Sequence, residues 1–111
     1  MTEVRLNNKN NVYRIECRGH ATGSQETCSA ISALVYALKG YIDNGYGGVI
    51  KRNTTIGDGY ISLEFSGGAQ AEAIFDVVAL GLMQLESAYD GEYVKIQEKI
   101  GGEIPKIACY H

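Results

Sequence analysis

The sequence predicts a small mixed α/β (α+β) fold, an antiparallel-rich sheet with two packed helices in the order β-β-α-β-β-α-β. Three observations carry the prediction. In several short stretches apolar and polar residues alternate, the period of a half-buried strand. In two longer stretches apolar residues recur every three or four positions, the period of an amphipathic helix. Glycine accounts for 14 of the 111 residues and gathers between these stretches, where turns need positive φ or close backbone approach.

Taken in order, Val4 and Leu6 alternate with polar neighbours and make a short first strand. The polar run Asn7 to Asn11 reads as a turn. Beyond it Tyr13, Ile15 and Cys17 fall on one face and Arg14, Glu16 and Arg18 on the other, completing a hairpin. From about Ser24 to Ile42 the apolar positions Ile31, Leu34, Val35, Leu38, Tyr41 and Ile42 have helical spacing, and Asn44-Gly45 stops the helix. Val49 to Lys51 is a short strand. Asp58-Gly59 is a strong turn signal before the alternating Ile61, Leu63 and Phe65. Ser66 and Gly67 are cap candidates for a second helix from about Ala69 to Ala88, with Ile74, Val77, Val78, Leu82, Leu85 and Tyr89 as its apolar stripe. Gly81 costs about 1 kcal/mol relative to Ala in mid-helix, so close helix packing is expected there. Tyr93, Val94 and Ile96 form the last strand. Residues 1–100 make a single domain, and the tail 101–111 lies along an edge or is unstructured.

Composition narrows the function classes. Ten Lys and Arg against thirteen Asp and Glu give a net charge of -3, which argues against nucleic acid as a direct partner because phosphate binding needs a basic surface. A basic peptide remains a suitable partner. No run approaches the 18 apolar residues of a membrane span, and Met1 to Asn11 lacks the apolar core of a signal peptide. Cys17, Cys28 and Cys109 are an odd, scattered set, read as reduced thiols in a cytoplasmic protein. Asn53-Thr54-Thr55 is then a polar turn and no glycosylation site. Gly45-Tyr46-Gly47-Gly48 lacks the Lys-Ser/Thr of a phosphate loop. Tyr36, Tyr41, Tyr46 and Tyr60 read as partly buried rather than as a base-stacking platform. Asp76, Glu86 and Asp90 read as a solvated helix face. Cys109 and His111 are too sparse a ligand set for a metal, so no cofactor and no metal is expected.

The informative segment runs from Gly19 to Cys28. His20 ends a strand, a polar loop follows, and Cys28 sits near the start of a helix. A cysteine nucleophile suits this arrangement, since a helix N-terminus and a neighbouring imidazole both favour the thiolate. The unpaired first-turn N–H groups suit a developing oxyanion, and His20 suits proton transfer to a leaving amine. A plainer reading makes Cys28 a small residue packed beside Ala30 and Ile31. The helix start is open too: Thr22 with Gln25 forms a capping box, and Ser24 and Thr27 are alternative caps.

Gly19-His20-Ala21 followed by Cys28-Ser29-Ala30-Ile31-Ser32-Ala33-Leu34 resembles the signature of the bacterial ribosomal-processing cysteine proteases. Leu80-Gly81-Leu82, Leu85, Tyr89 and Tyr93-Val94-Lys95-Ile96 resemble that family's closing segment, so the resemblance spans about residues 2 to 97. It implies a homodimeric cysteine endopeptidase that removes a short N-terminal extension from large-subunit ribosomal protein twenty-seven, with Cys28 as nucleophile and His20 as catalytic histidine. Gly19, Ala21, Gly23 and Ser24 would belong to the loop bordering the substrate. Two departures stand out. The His20-to-Cys28 loop is shorter than the family's, and Gln25 stands where the family tends to carry Asp, with Glu26 adjacent. Gln25 can orient a group only by hydrogen bonding, and Glu26 would need a register shift. For a gene in a prophage the shorter loop would fit a different target, such as a phage structural protein. The two departures together motivate the alternative of a non-catalytic peptide-binding or structural homodimer on the same scaffold. A dimer is also expected from Val35, Leu38, Ile42, Val78, Leu82 and Leu85, a larger apolar helix surface than a small sheet covers.

Overall fold

The computed structural model describes residues 1–20 and 23–101, so Ala21, Thr22 and the tail from residue 102, with Cys109 and His111, lie outside the described residues. The expected order of elements is present: β1 (Thr2–Lys9), β2 (Val12–Arg18), α1 (Gln25–Asn44), β3 (Ile50–Gly57), β4 (Tyr60–Ser66), α2 (Ala69–Ala88) and β5 (Val94–Gly101). The strands form one sheet in the order β3-β4-β2-β1-β5. The three neighbours β1–β2, β2–β4 and β3–β4 are antiparallel, and β5 joins β1 in parallel. No helix among the described residues is long and apolar enough to cross a membrane.

Local sequence explains most joints. Asn10 and Asn11 both adopt positive φ, 55° and 61°, the type I′ geometry that matches strand twist in a two-residue hairpin. The turn is tighter than the sequence suggested, because Asn7, Asn8 and Lys9 extend β1. Gly45 closes α1 in the left-handed region, its N–H donating to the Ile42 carbonyl. For α2 the cap is Gly68, one residue beyond the two expected candidates, and no side chain bonds there.

The strand expected at Val49 to Lys51 runs instead from Ile50 to Gly57, with Asn53, Thr54 and Thr55 paired to Glu64, Leu63 and Ser62. These three residues are therefore ladder, not turn. The alternation was invisible because β3 is an edge strand with almost every side chain in solvent; only Val49, just before it, is buried. Similarly β5 continues past Ile96 to Gly101 on the strength of its pairing with β1.

One hydrophobic core lies between the sheet and the helices. Val4, Leu6, Tyr13, Ile15, Cys17, Leu63 and Phe65 supply the sheet side, and Ile31, Val35, Leu38 and Ile42 the α1 side. The buried face of α2 consists of Ala71, Phe75, Val78, Ala79, Leu82 and Met83. That face is rotated from the expected stripe: Val77 is 64% exposed and Tyr89 is on the surface, whereas Phe75 and Met83 are inside. Alanines set the rotation, because Ala71 and Ala79 let the helix approach the sheet around Phe75. The surplus-surface argument is also corrected. Val35, Leu38, Ile42, Val78 and Leu82 are all buried within the single chain, leaving only Leu85 partly exposed. At Gly81 the expectation holds, since an added Cβ would stand 2.8 Å from a Leu34 methyl of α1.

The opposite sheet face is polar but not uniformly solvated. Glu16 is only 5% exposed and accepts from Arg5 at 3.0 Å, Arg14 at 2.7 Å and the Tyr60 hydroxyl at 2.9 Å. Burial pushes its carboxyl upward, but the hydrogen bonds from Tyr60 and Arg5 and the charges of Arg14 and Arg5 outweigh that and hold it below the usual carboxylate value. A depressed carboxylate contributes stability above its unfolded value, 4.5, and loses it as pH falls through the folded one. Glu16→Gln is therefore expected to cost about 1–2 kcal/mol at pH 7, with the gap to wild type closing as urea unfolding is repeated below pH 4.5. A gap independent of pH would remove the charge from this account. Glu86 departs from the solvated-face reading: its carboxylate accepts the Ile96 backbone N–H at 2.7 Å and ties α2 to β5.

Candidate active site

Ser24 settles the start of α1. It has extended backbone, and its hydroxyl oxygen accepts the Thr27 N–H at 3.2 Å while its hydroxyl donates to the Thr27 side chain at 2.8 Å. Both residues are buried, so the cap is shielded from competing water. Cys28 is then the fourth helical residue and is half-buried. Its N–H donates to the Ser24 carbonyl at 3.1 Å, so this amide belongs to the helix. The first-turn amides of Gln25 and Glu26 have no helical acceptor and carry the positive end of the dipole.

His20 reaches the same region from the sheet. The β2–β4 register pairs Arg18 with Tyr60, and one step further the Gly19 N–H donates to the Gly59 carbonyl at 2.7 Å. Gly19 has φ +90°, and an added Cβ would stand 2.6 Å from the Met1 carbonyl oxygen, so glycine is required where the chain leaves β2. Cys28 and His20 line one cleft of about 150 Å³. Ser32 and Tyr36 also line it, one and two turns after Cys28 on the same face of α1. Gly57 and Gly59 line it from the β3–β4 hairpin, and buried Cys17 and Val35 lie beneath.

Two thiols therefore border the cleft, and their surroundings separate them. Burial, and then the Glu16 charge, push the Cys17 thiol up to about 12, so it stays protonated and unreactive near neutrality. Cys17 belongs to the core, as its strand face predicts. Cys28 is the thiol open to the cleft from a helix start, and His20 lines the same cleft. A thiol and an imidazole sharing a cleft are the groups needed to attack a carbonyl carbon and pass a proton to a leaving group.

Of the other expected site residues, Gly19 lines the cleft, Ser24 caps the helix, and Gly23 is exposed with φ +92° near the Tyr93 ring. Gln25 and Glu26 are exposed on the first turn and do not border the cleft. The carboxylate that the structure brings to His20 is Asp58, with Oδ1 3.9 Å from Nε2. Sequence reasoning read Asp58 only as a turn residue. Ser32 and Tyr36 were also missed, although their four-residue steps from Cys28 were a usable signal. Tyr36 and Tyr46 are exposed rather than partly buried. Among the described residues, no group of three His, Cys, Asp or Glu side chains is placed to hold a metal ion.

Known proteins share this chain's family and fold. The family described as cysteine protease Prp matches residues 1–95. The crystal structure of the essential ribosomal processing protease Prp from S. aureus, with a covalently linked product peptide, is similar at TM-score 0.72 and 18% identity, covering 89% of this chain and 100% of that one. The same S. aureus protease with a substrate peptide gives TM-score 0.62 and 20% identity over 89% and 100% of the two chains. SMU.848 from Streptococcus mutans gives TM-score 0.68 and 17% identity, with 91% and 99% covered. No relative among curated proteins matches the sequence. At these identities the structures speak for the fold, while the match over residues 1–95 reaches from β1 into β5 and includes the whole cleft: the chain belongs to the Prp family and is a cysteine protease.

Proposed function

We propose that the protein removes a short N-terminal extension from large-subunit ribosomal protein twenty-seven, or a related protein, in the cytoplasm, with Cys28 as nucleophile and His20 as acid–base. The observation that carries this reading is the single cleft lined by both side chains. His20 takes the Cys28 proton as Sγ bonds to the scissile carbonyl carbon, and the oxyanion is stabilised at the start of α1. The carbon–nitrogen bond breaks as His20 returns the proton to the leaving amine. Water, deprotonated by His20, then hydrolyses the thioester and regenerates the thiol. A covalently linked product peptide on the S. aureus relative supports this route. The net charge of -3 and the exposed Glu26 and Asp58 favour encounter with a basic segment. Incubation with a peptide spanning the extension and the first residues of the mature ribosomal protein is expected to give one cut at their boundary. An intact peptide, with Cys28 still readily alkylated, would overturn the substrate and leave the thiol chemistry standing.

We further propose a homodimer. Its support is the outward face between α1 and α2, where Ala37, Tyr41, Ala73, Ile74 and Val77 line an apolar groove and Val77 is largely exposed. Sedimentation equilibrium at micromolar concentration is expected to give twice the chain mass. A single-chain mass throughout would defeat the dimer and leave Cys28 and His20 unaffected, since one chain supplies both.

A further inference from the structure

We propose that Asp58, on the turn between β3 and β4, is the positioning residue for the His20 imidazole, an inference that rests on reading Cys28 and His20 as the reacting pair. Three observations converge on it. Asp58 Oδ1 is 3.9 Å from His20 Nε2. The same corner of the ring lies over Gly59, where an added Cβ would stand 2.9 Å from Nε2, 3.3 Å from Cδ2 and 3.5 Å from Cε1. The turn is itself fixed to the end of β2 by the Gly19–Gly59 hydrogen bond. Gly59 has φ +63°, so both the backbone and the bare Cα at this position suit the ring.

The arrangement assigns roles to the two ring nitrogens. Nε2 faces the turn and, protonated, is the nitrogen that Asp58 attracts. Nδ1 is on the far side of the ring and in this proposal is the nitrogen that exchanges a proton with Cys28. When the imidazolium forms, the Asp58 carboxylate stabilises it, the task a carboxylate performs for a catalytic histidine. At position 25 this chain has an uncharged Gln, exposed and outside the cleft lining. The hairpin supplies a carboxylate to the histidine from the other side of the cleft.

Asp58→Asn is the informative variant, because Asn-Gly holds a two-residue hairpin turn as well as Asp-Gly does while removing the charge. His20 and Asp58 are 64% and 105% exposed, so the effect is modest and weakens in salt. Alkylation of folded Cys28 by iodoacetamide near pH 7 is expected to slow about three- to fivefold in 20 mM salt, and to converge with wild type in 1 M salt. With the extension peptide covering the cleft, kcat should fall about tenfold while KM holds. Asp58→Glu should restore most of the rate although it is the poorer turn residue. An Asp58→Asn protein that alkylates at the wild-type rate in low salt, or an Asp58→Glu protein as slow as Asp58→Asn, would overturn the inference. Cleavage by Cys28→Ala would instead overturn the pair on which it rests.

Discussion

Cleavage of the extension peptide by the Cys28→Ala protein is expected to fall at least about a thousandfold below wild type, with the fold intact. The size of the loss follows from what else lines the cleft. Cys17 is the only other described thiol there, and its value of about 12 keeps it protonated. Ser32 lies one turn further along α1, and a serine hydroxyl is a far weaker nucleophile than a thiolate. The cleft keeps His20 and its other walls, so the residual rate is expected to exceed that in water while no covalent step is supported. Cys28 is half-buried and the change removes one sulfur atom, so the stability cost is expected to stay within about 1 kcal/mol. Circular dichroism melting alongside the assay separates the two effects. Retention of a tenth of the wild-type rate would remove Cys28 from the chemistry.

The wall of the cleft that carries His20 and Cys28 was legible because it lies in one stretch of chain. The residues from Gly19 to Cys28 show a strand end, a polar loop and a helix start, and each joint has a local signature: glycine with positive φ at Gly19, a capping serine at Ser24. The opposite wall was not legible. Asp58 approaches His20 only because β2 and β4 pair in a register that puts Arg18 against Tyr60, and register between strands more than forty residues apart leaves no mark on either one. The same reason hid β3, whose edge position leaves no alternation to read, and Glu16, whose polar neighbours suggest a solvated position until Arg5, Arg14 and Tyr60 close over it. Helix existence was legible from period alone. Helix rotation was not: for α2 the choice between a stripe through Val77 and one through Phe75 depends on how closely Ala71 and Ala79 let the backbone approach the sheet.

That rotation makes Phe75 the residue whose loss should weaken the fold most. Phe75 is fully buried, and its ring lies 5.3 Å from that of Tyr13, which in turn stacks on Phe65 at 5.5 Å. The three rings join α2 to β2 and β4. Phe75→Ala removes the transfer free energy of the ring and opens a cavity that the flanking strands cannot close, because their spacing is fixed by ladder hydrogen bonds; the cost is about 3–5 kcal/mol. The lost ring pairing with Tyr13 falls within that sum. For a domain of this length the melting temperature should drop by at least about 10 °C. Phe75→Leu, which refills much of the volume, should recover more than half of the loss. None of the three rings lines the cleft that holds Cys28 and His20. Cleavage per folded molecule, measured at a temperature where the variant is native, is therefore expected within about twofold of wild type, as for sites without shared partners. A variant that melts with wild type would mean that α2 is held mainly by Leu82, Met83 and the Glu86 bond to β5, and that the aromatic cluster contributes little. A variant that stays folded but loses its kcat would show that the position of α2 is transmitted through the sheet to the β2 end that carries His20.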